Sequence, residues 1–200
     1  DCTPEIIDLM TTSPRFAAHF HLPLQHASDT VLRRMRRPYT CREYEQVVGL
    51  IRRNAPDAAI GSDVVVGFPG ETDAHATENI QFLTQSPLTY LHVFPYSDRP
   101  GTEASKMTGK VHGKTIRDRA RAVREVGSVL SQQFRTAQIG RIRPGLTLRQ
   151  RAHTVVLTDN YLRVQVPVPP PENVRVHVRI LTAADSPAGE LVNESLISTP

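Results

Sequence analysis

The chain has 200 residues and 39% apolar content, enough for one medium domain or a larger and a smaller one, and its two cysteines are too few for a disulfide framework. No apolar run approaches a membrane span, and the acidic opening Cys2-Thr3-Pro4-Glu5 lacks the layout of a signal peptide, so a cytoplasmic protein with no membrane partner is expected. The net charge of +4 is strongly segregated: residues 109–151 carry eleven Lys and Arg against Asp118 and Glu125, a local +9 that leaves −5 elsewhere, a pattern that fits a polyanion partner or a solvated helix face.

Residues 19–25 read as a strand with an early proline, and Ser28 suits an N-cap for a helix over 30–35. Thr40 and Glu43 have capping-box spacing for a helix carrying Tyr44, Val47, Val48 and Ile51 on one side, ended by Pro56. Residues 59–66 form the next strand, in which three valines suit burial on both faces of a parallel sheet. The turn Gly67-Phe68-Pro69-Gly70-Glu71-Thr72 follows, where two glycines allow backbone to approach a bound molecule and Glu71 falls near a helix N-terminus. Alone, this is also an ordinary strand-to-helix turn. A helix over 72–86 with Ala76, Ile80 and Leu83 inward and a strand over 88–94 complete three strand–helix steps. The irregular stretch 95–113 leaves the third strand on the same side as the glycine turn.

A long amphipathic helix over 114–137 follows, with Ile116, Ala120, Val123, Gly127, Leu130 and Phe134 as its seam and a basic outer face. Past residue 140 the period becomes two: Leu162, Val164 and Val166 alternate with polar neighbours, as do Val174, Val176, Val178 and Ile180. Asp159-Asn160 suits a tight connection, and residues 167–171 are proline-rich. These features indicate an α/β domain over 1–139 and a small all-β domain over 140–200.

Three strand ends would align one row of ligand groups: Gln25 and Ser28, then Asp63 and residues 67–71, then Tyr96 to Thr102. Individually, Gln25 can be structural and Asp63 can cap a sheet end; jointly they suggest a pocket. Cys2 and Cys41 have no partners at metal-ligand spacing and read as passive thiols. Arg141, Arg143, Arg149 and Arg163, at and within the β tail, are candidate RNA contacts.

In order along the chain, His21-Leu22-Pro23-Leu24-Gln25, Ser28-Asp29, Val31-Leu32-Arg33-Arg34-Met35, Tyr39-Thr40, the run from Asp63 to Thr72 and Tyr96-Ser97-Asp98-Arg99-Pro100-Gly101-Thr102 resemble the radical S-adenosylmethionine (SAM) methylthiotransferases, and the β tail resembles their RNA-holding TRAM domain, an OB-like fold. His92-Val93-Phe94-Pro95-Tyr96-Ser97 is most similar to the branch acting on threonylcarbamoyl-adenosine beside the tRNA anticodon. The resemblance implies the carboxyl-terminal part of a partial TIM-like barrel, SAM and [4Fe–4S] clusters as cofactors, tRNA as partner, an electron donor, and methylthio transfer begun by reductive cleavage of SAM. It places Gln25 and Ser28 at the ribose and methionine of SAM, Asp63 and Gly67 along its backbone-packed side, and Phe94 and Tyr96 at its adenine. The family's Cys-x-x-x-Cys-x-x-Cys run has no counterpart here, so the chain is expected to be a fragment, inactive by itself. His26-Ala27 stands where relatives usually carry Ser-Gly, with His26 expected in the pocket or at the surface. An RNA-binding protein without catalysis, or another radical SAM enzyme with the same turn, are the alternatives.

Overall fold

The computed structural model describes residues 2–13, 15–150, 153–167 and 171–192; the centre of the proline-rich loop, Arg151 and the tail from 193 lie outside the described residues. Helix α1 (Pro4–Thr12) starts at Thr3, whose hydroxyl accepts from the Ile6 amide. Strand β1 is His19–His21, and α2 is Asp29–Arg34. Helix α3 (Cys41–Asn54) opens with the expected capping box, Thr40 accepting from the Glu43 amide while the Glu43 carboxylate accepts from the Thr40 amide. Strand β2 (Ala59–Val66), α4 (Asp73–Gln85) and β3 (Tyr90–Pro95) follow, then a short helix α5 (Glu103–Lys106) inside the stretch expected to be irregular, and the long α6 (Gly113–Ala137).

β1, β2 and β3 form one parallel sheet in that order, with Phe20 opposite Ile60 and Asp63 opposite His92. Because side chains alternate along a strand, Phe20, Ile60, Val64 and Val66 all point to one face, where they pack with Val48, Ile51, Leu83, Val123 and Leu130 of the helices. The seam read along α6 is confirmed in its centre: Ala120, Val123, Gly127 and Leu130 are buried. Among the described residues the other face is covered only at its β1 start, by Tyr161 on His19, and is open beyond it. It carries His21, Asp63, Val65, Tyr90, His92 and Phe94, so burial of this sheet on both faces is not what the fold shows, and the valine run is explained by one buried face plus a half-buried Val65.

Beyond α6, strands β4 (Ile142–Gln150), β5 (His153–Thr158), β6 (Arg163–Gln165), β7 (Arg175–Ile180) and β8 (Gly189–Val192) form an antiparallel sheet ordered β6-β5-β4-β7-β8. It curls until Gln165 of β6 bridges Ala188 just before β8, a half-barrel around Val156, Val164, Val178 and Ile180. The β5–β6 turn docks it on the first sheet. Asn160 donates to the Asp57 carbonyl and to the Gln138 side chain, both at 3.0 Å, and Tyr161 stacks on His19 with ring centroids 4.0 Å apart.

Candidate functional site

The three strand ends converge as the row of ligand groups requires. The Gln25 amide donates to the Asp63 carbonyl and its own carbonyl accepts from Val65, both at 2.8 Å, while the Tyr96 amide donates to the Val66 carbonyl at 2.8 Å. Gln25 sits in the left-handed region at φ 70°, a strained backbone for a residue with a side chain, locked by that two-bond bridge to β2. Ser28 is the N-cap residue of α2 but makes no capping bond, which leaves its hydroxyl uncommitted beside Gln25. Phe94 presents its ring to the open face, 49% exposed. Tyr96 meets Phe68 edge-on at 5.6 Å and donates its hydroxyl to Asp98 at 2.6 Å, with Lys110 on the same carboxylate.

The glycine turn has a different task from the one its sequence suggests. A side-chain carbon on Gly67 (φ 79°) would collide with Ile116 of α6, and one on Gly70 (φ 86°) with the Arg34 guanidinium, so protein side chains already occupy the space the glycines leave. Its amides are spent as well: Gly67 and Phe68 donate to the Glu71 carboxylate, Gly70 to the Gly109 carbonyl and Glu71 to the Phe68 carbonyl. Gly67 is thus a packing position against α6, whatever its backbone meets on the other side. Glu71 is buried, with burial raising its pKa against the pull of the Gly67 amide and Arg119. It receives Arg119 of α6 at 3.0 Å, and Arg119 reaches on to Asp73 at 2.6 Å. Glu71 thus ties the turn, α4 and α6 together.

His26 lies in neither expected place. It is 0% exposed beneath the turn, its Nδ1 accepts from the Ser28 amide at 3.0 Å, and its Nε2 stops 3.7 Å short of the Glu71 carboxylate without a hydrogen-bond partner. Burial first, then the nearby His75 and Arg119 charges, pull its pKa down to about 4, so it is a neutral imidazole.

Asp63, expected beside the cofactor, points onto the open face and pairs with two histidines. His21 Nε2 and His92 Nδ1 lie 3.0 and 3.2 Å from the same Asp63 oxygen, and the Tyr90 hydroxyl lies 3.2 Å from His21 Nδ1 and 2.8 Å from His19 Nε2. Sequence reasoning missed this cluster because its members are far apart in the chain and meet only through strand register.

On the antiparallel sheet, Arg143 is not a free cation. It makes two 2.8 Å bonds to Asp159 and one of 3.1 Å to Asp57 with its side chain 12% exposed, so the cation expected at RNA is engaged in a structural ion pair. Arg149 is exposed and pairs with Glu172 at 3.3 Å; Arg141 and Arg163 are exposed. Arg163 opposes Leu157, Leu157 opposes Leu146, and Leu146 opposes Arg175, so two arginines bracket a row with exposed Leu146 on the outer face. Arg175 was not singled out in the sequence, although its alternation with Val174 and Val176 carried the signal. On α6, Arg119 and Arg135 are turned to packing, Arg135 donating to Asp185 at 2.9 Å, while Lys114, Arg117 and Arg124 remain outward.

The donor set does not fit an iron–sulfur cluster. Burial and the adjacent Asp29 push the Cys41 thiol up to about 12, far from a thiolate, and burial raises Cys2 also. At the open edge, Phe94 offers an exposed ring on β3, and Gln25 and Ser28, across β2 from it, offer polar side chains without a hydrogen-bond partner, groups of the kinds a nucleoside with a charged tail would use. No helix among the described residues is long and apolar enough to cross a membrane.

Residues 1–83 match the Radical SAM superfamily. The chain is 38% identical over 161 residues to a threonylcarbamoyladenosine tRNA methylthiotransferase of Aquifex aeolicus, covering 80% of the chain and 38% of that protein. A Bacillus subtilis protein of the same name is 33% identical over 168 residues, 81% of the chain and 37% of the relative. A tRNA-2-methylthio-N(6)-dimethylallyladenosine synthase of a Parafrankia strain is 37% identical over 141 residues, 70% of the chain and 28% of the relative. The chain thus spans well under half the length of these relatives.

Proposed function

We propose that the chain, similar to radical SAM tRNA methylthiotransferases over most of its length, supplies the SAM-facing strand ends and the RNA-holding β domain of an enzyme that adds a methylthio group to a modified adenosine beside the tRNA anticodon. The observation that carries this reading is the convergence of Gln25, the β2 end and Tyr96 on one sheet edge in a chain whose relatives bear that activity in their names. SAM, when bound, supplies the sulfonium whose cleavage starts such chemistry. This chain's part is to hold it: Gln25 and Ser28 face its polar portion, and Phe94 with Tyr96 flanks its adenine. A Cys-x-x-x-Cys-x-x-Cys run is not among these 200 residues, so the chain alone is expected to leave SAM intact.

The curled antiparallel sheet acts as the TRAM-like clamp. Exposed Arg141, Arg149, Arg163 and Arg175 provide phosphate contacts, and the apolar row beside Leu146 gives bases or sugars a surface to pack on. The test is binding of the whole chain to a tRNA anticodon stem-loop across a salt series. Replacing Arg163 and Arg175 by Ala is expected to lower the log–log salt slope by about 1–2, since each lost phosphate contact removes about 0.7–0.9. An unchanged slope removes this face from the interface.

A further inference from the structure

We infer that His21, Asp63 and His92 form a binding site for one divalent transition-metal ion on the open face of the parallel sheet, a site that stands whether or not the chain acts on tRNA. The three ligand atoms, His21 Nε2, one Asp63 carboxylate oxygen and His92 Nδ1, all lie within 4.8 Å of one another, from three adjacent strands. Asp63 is opposite His92 in the β2–β3 register and two residues beyond Gly61, the partner of His21, so the alternation of the strands sends all three to one side. The separations of 3.0 and 3.2 Å from Asp63 to the two histidines match what two ligands on one ion require, because donors about 2.1 Å from a metal stand about 3.0–3.4 Å apart. Two imidazoles and one carboxylate with the other side open select zinc, cobalt, nickel or ferrous iron over magnesium or calcium, which take oxygen donors.

The surroundings are built for a ligating histidine. Its second nitrogen needs a partner that fixes the ring, and His21 Nδ1 has one in the Tyr90 hydroxyl at 3.2 Å. Tyr90 reaches that place because its ring lies over Gly61, where any side chain would collide with it. The hydroxyl also meets His19 Nε2 at 2.8 Å, so the row His19, Tyr90, His21 can carry its hydrogen bonds in either direction. Without an ion, His19 donates to Tyr90, Tyr90 to His21 Nδ1, and His21 Nε2–H to Asp63. With an ion, His21 Nε2 and Asp63 both turn lone pairs to the metal, His21 Nδ1–H donates to Tyr90, and Tyr90 donates to His19. The two hydrogen bonds that meet at the Tyr90 hydroxyl are kept in both arrangements, so metal entry does not break the link that orients His21.

The test is a titration of the 200-residue chain with Co²⁺, read by visible d–d absorption, and with Zn²⁺ by calorimetry. One equivalent is expected to bind, with Zn²⁺ displacing the cobalt signal. His92→Ala and Asp63→Asn should each abolish that equivalent, and Tyr90→Phe, which keeps the ring over Gly61, should weaken it about 10- to 100-fold. Absence of a stoichiometric cobalt spectrum overturns the site, as does the same spectrum in His92→Ala. Circular dichroism of each variant checks folding, and His92→Ala decides the matter if Asp63→Asn does not fold, because the His92 side chain is exposed and makes no contact the helices depend on.

Discussion

A neutral imidazole sealed under the turn makes His26 the residue whose environment is most at odds with its chemistry. Its folded pKa of about 4 lies below the ordinary 6.5, so as pH falls the unfolded chain takes up the proton first. Its contribution to stability is therefore complete above pH 6.5 and is lost between 6.5 and 4, on the order of 3 kcal/mol at the acid end. Glu71 works in the opposite direction, because burial raises its pKa and its folded form holds a proton more readily. Comparison of the wild type with His26→Asn, which keeps an acceptor for the Ser28 amide but does not titrate, isolates the histidine. Urea unfolding at pH 7 and pH 5 should show the wild type losing stability by more than the variant. Equal losses would mean that the imidazole is not held neutral.

Among the elements, the joint between β2, α4 and α6 is one carboxylate. Glu71 accepts from two turn amides and from Arg119, whose side chain is only 11% exposed, so truncation leaves two buried N–H groups without an acceptor and Arg119 with only the exposed Asp73 and the Glu71 carbonyl. Glu71→Ala is expected to cost about 3 kcal/mol in urea unfolding, whereas Glu71→Gln, which preserves the shape and one acceptor oxygen, should cost visibly less. This joint also explains why the glycine turn is glycine-rich. Both glycines hold positive φ, 79° and 86°, and a side chain at 67 would also collide with Ile116, so residues without side chains suit 67 and 70. The capping box at Thr40 and Glu43 was legible beforehand because it depends on residues three apart; the Glu71–Arg119 pair spans 48 residues and has no local signature.

For the molecule as a whole, Arg143 decides how the two sheets are held. It joins Asp159 of the β5–β6 turn to Asp57 just before β2, beside the Asn160 and Tyr161 contacts to the same end of the parallel sheet. Arg143→Ala should loosen this junction and speed tryptic cleavage at Arg141 several-fold, while the salt slope of RNA binding stays that of the wild type. Loss of slope in this variant would return Arg143 to the RNA interface. The contrast with Arg163 and Arg175 separates a cation that positions the clamp from cations that meet the phosphates.

Local pattern alone was enough to establish the parallel β–α units, the change from helical to alternating period after α6, the capping residues, and the row of strand ends, because each depends on neighbours within a turn or two along the chain. Tertiary structure decided which charges and polar groups are free. Arg143 and Arg119 look like surface cations in the sequence and are consumed by carboxylates 16 to 86 residues away. His21, Asp63 and His92 look unrelated and are brought to one point by strand register. Electrostatic partners and ligand sets act through space, and only the packed chain sets which residues share it.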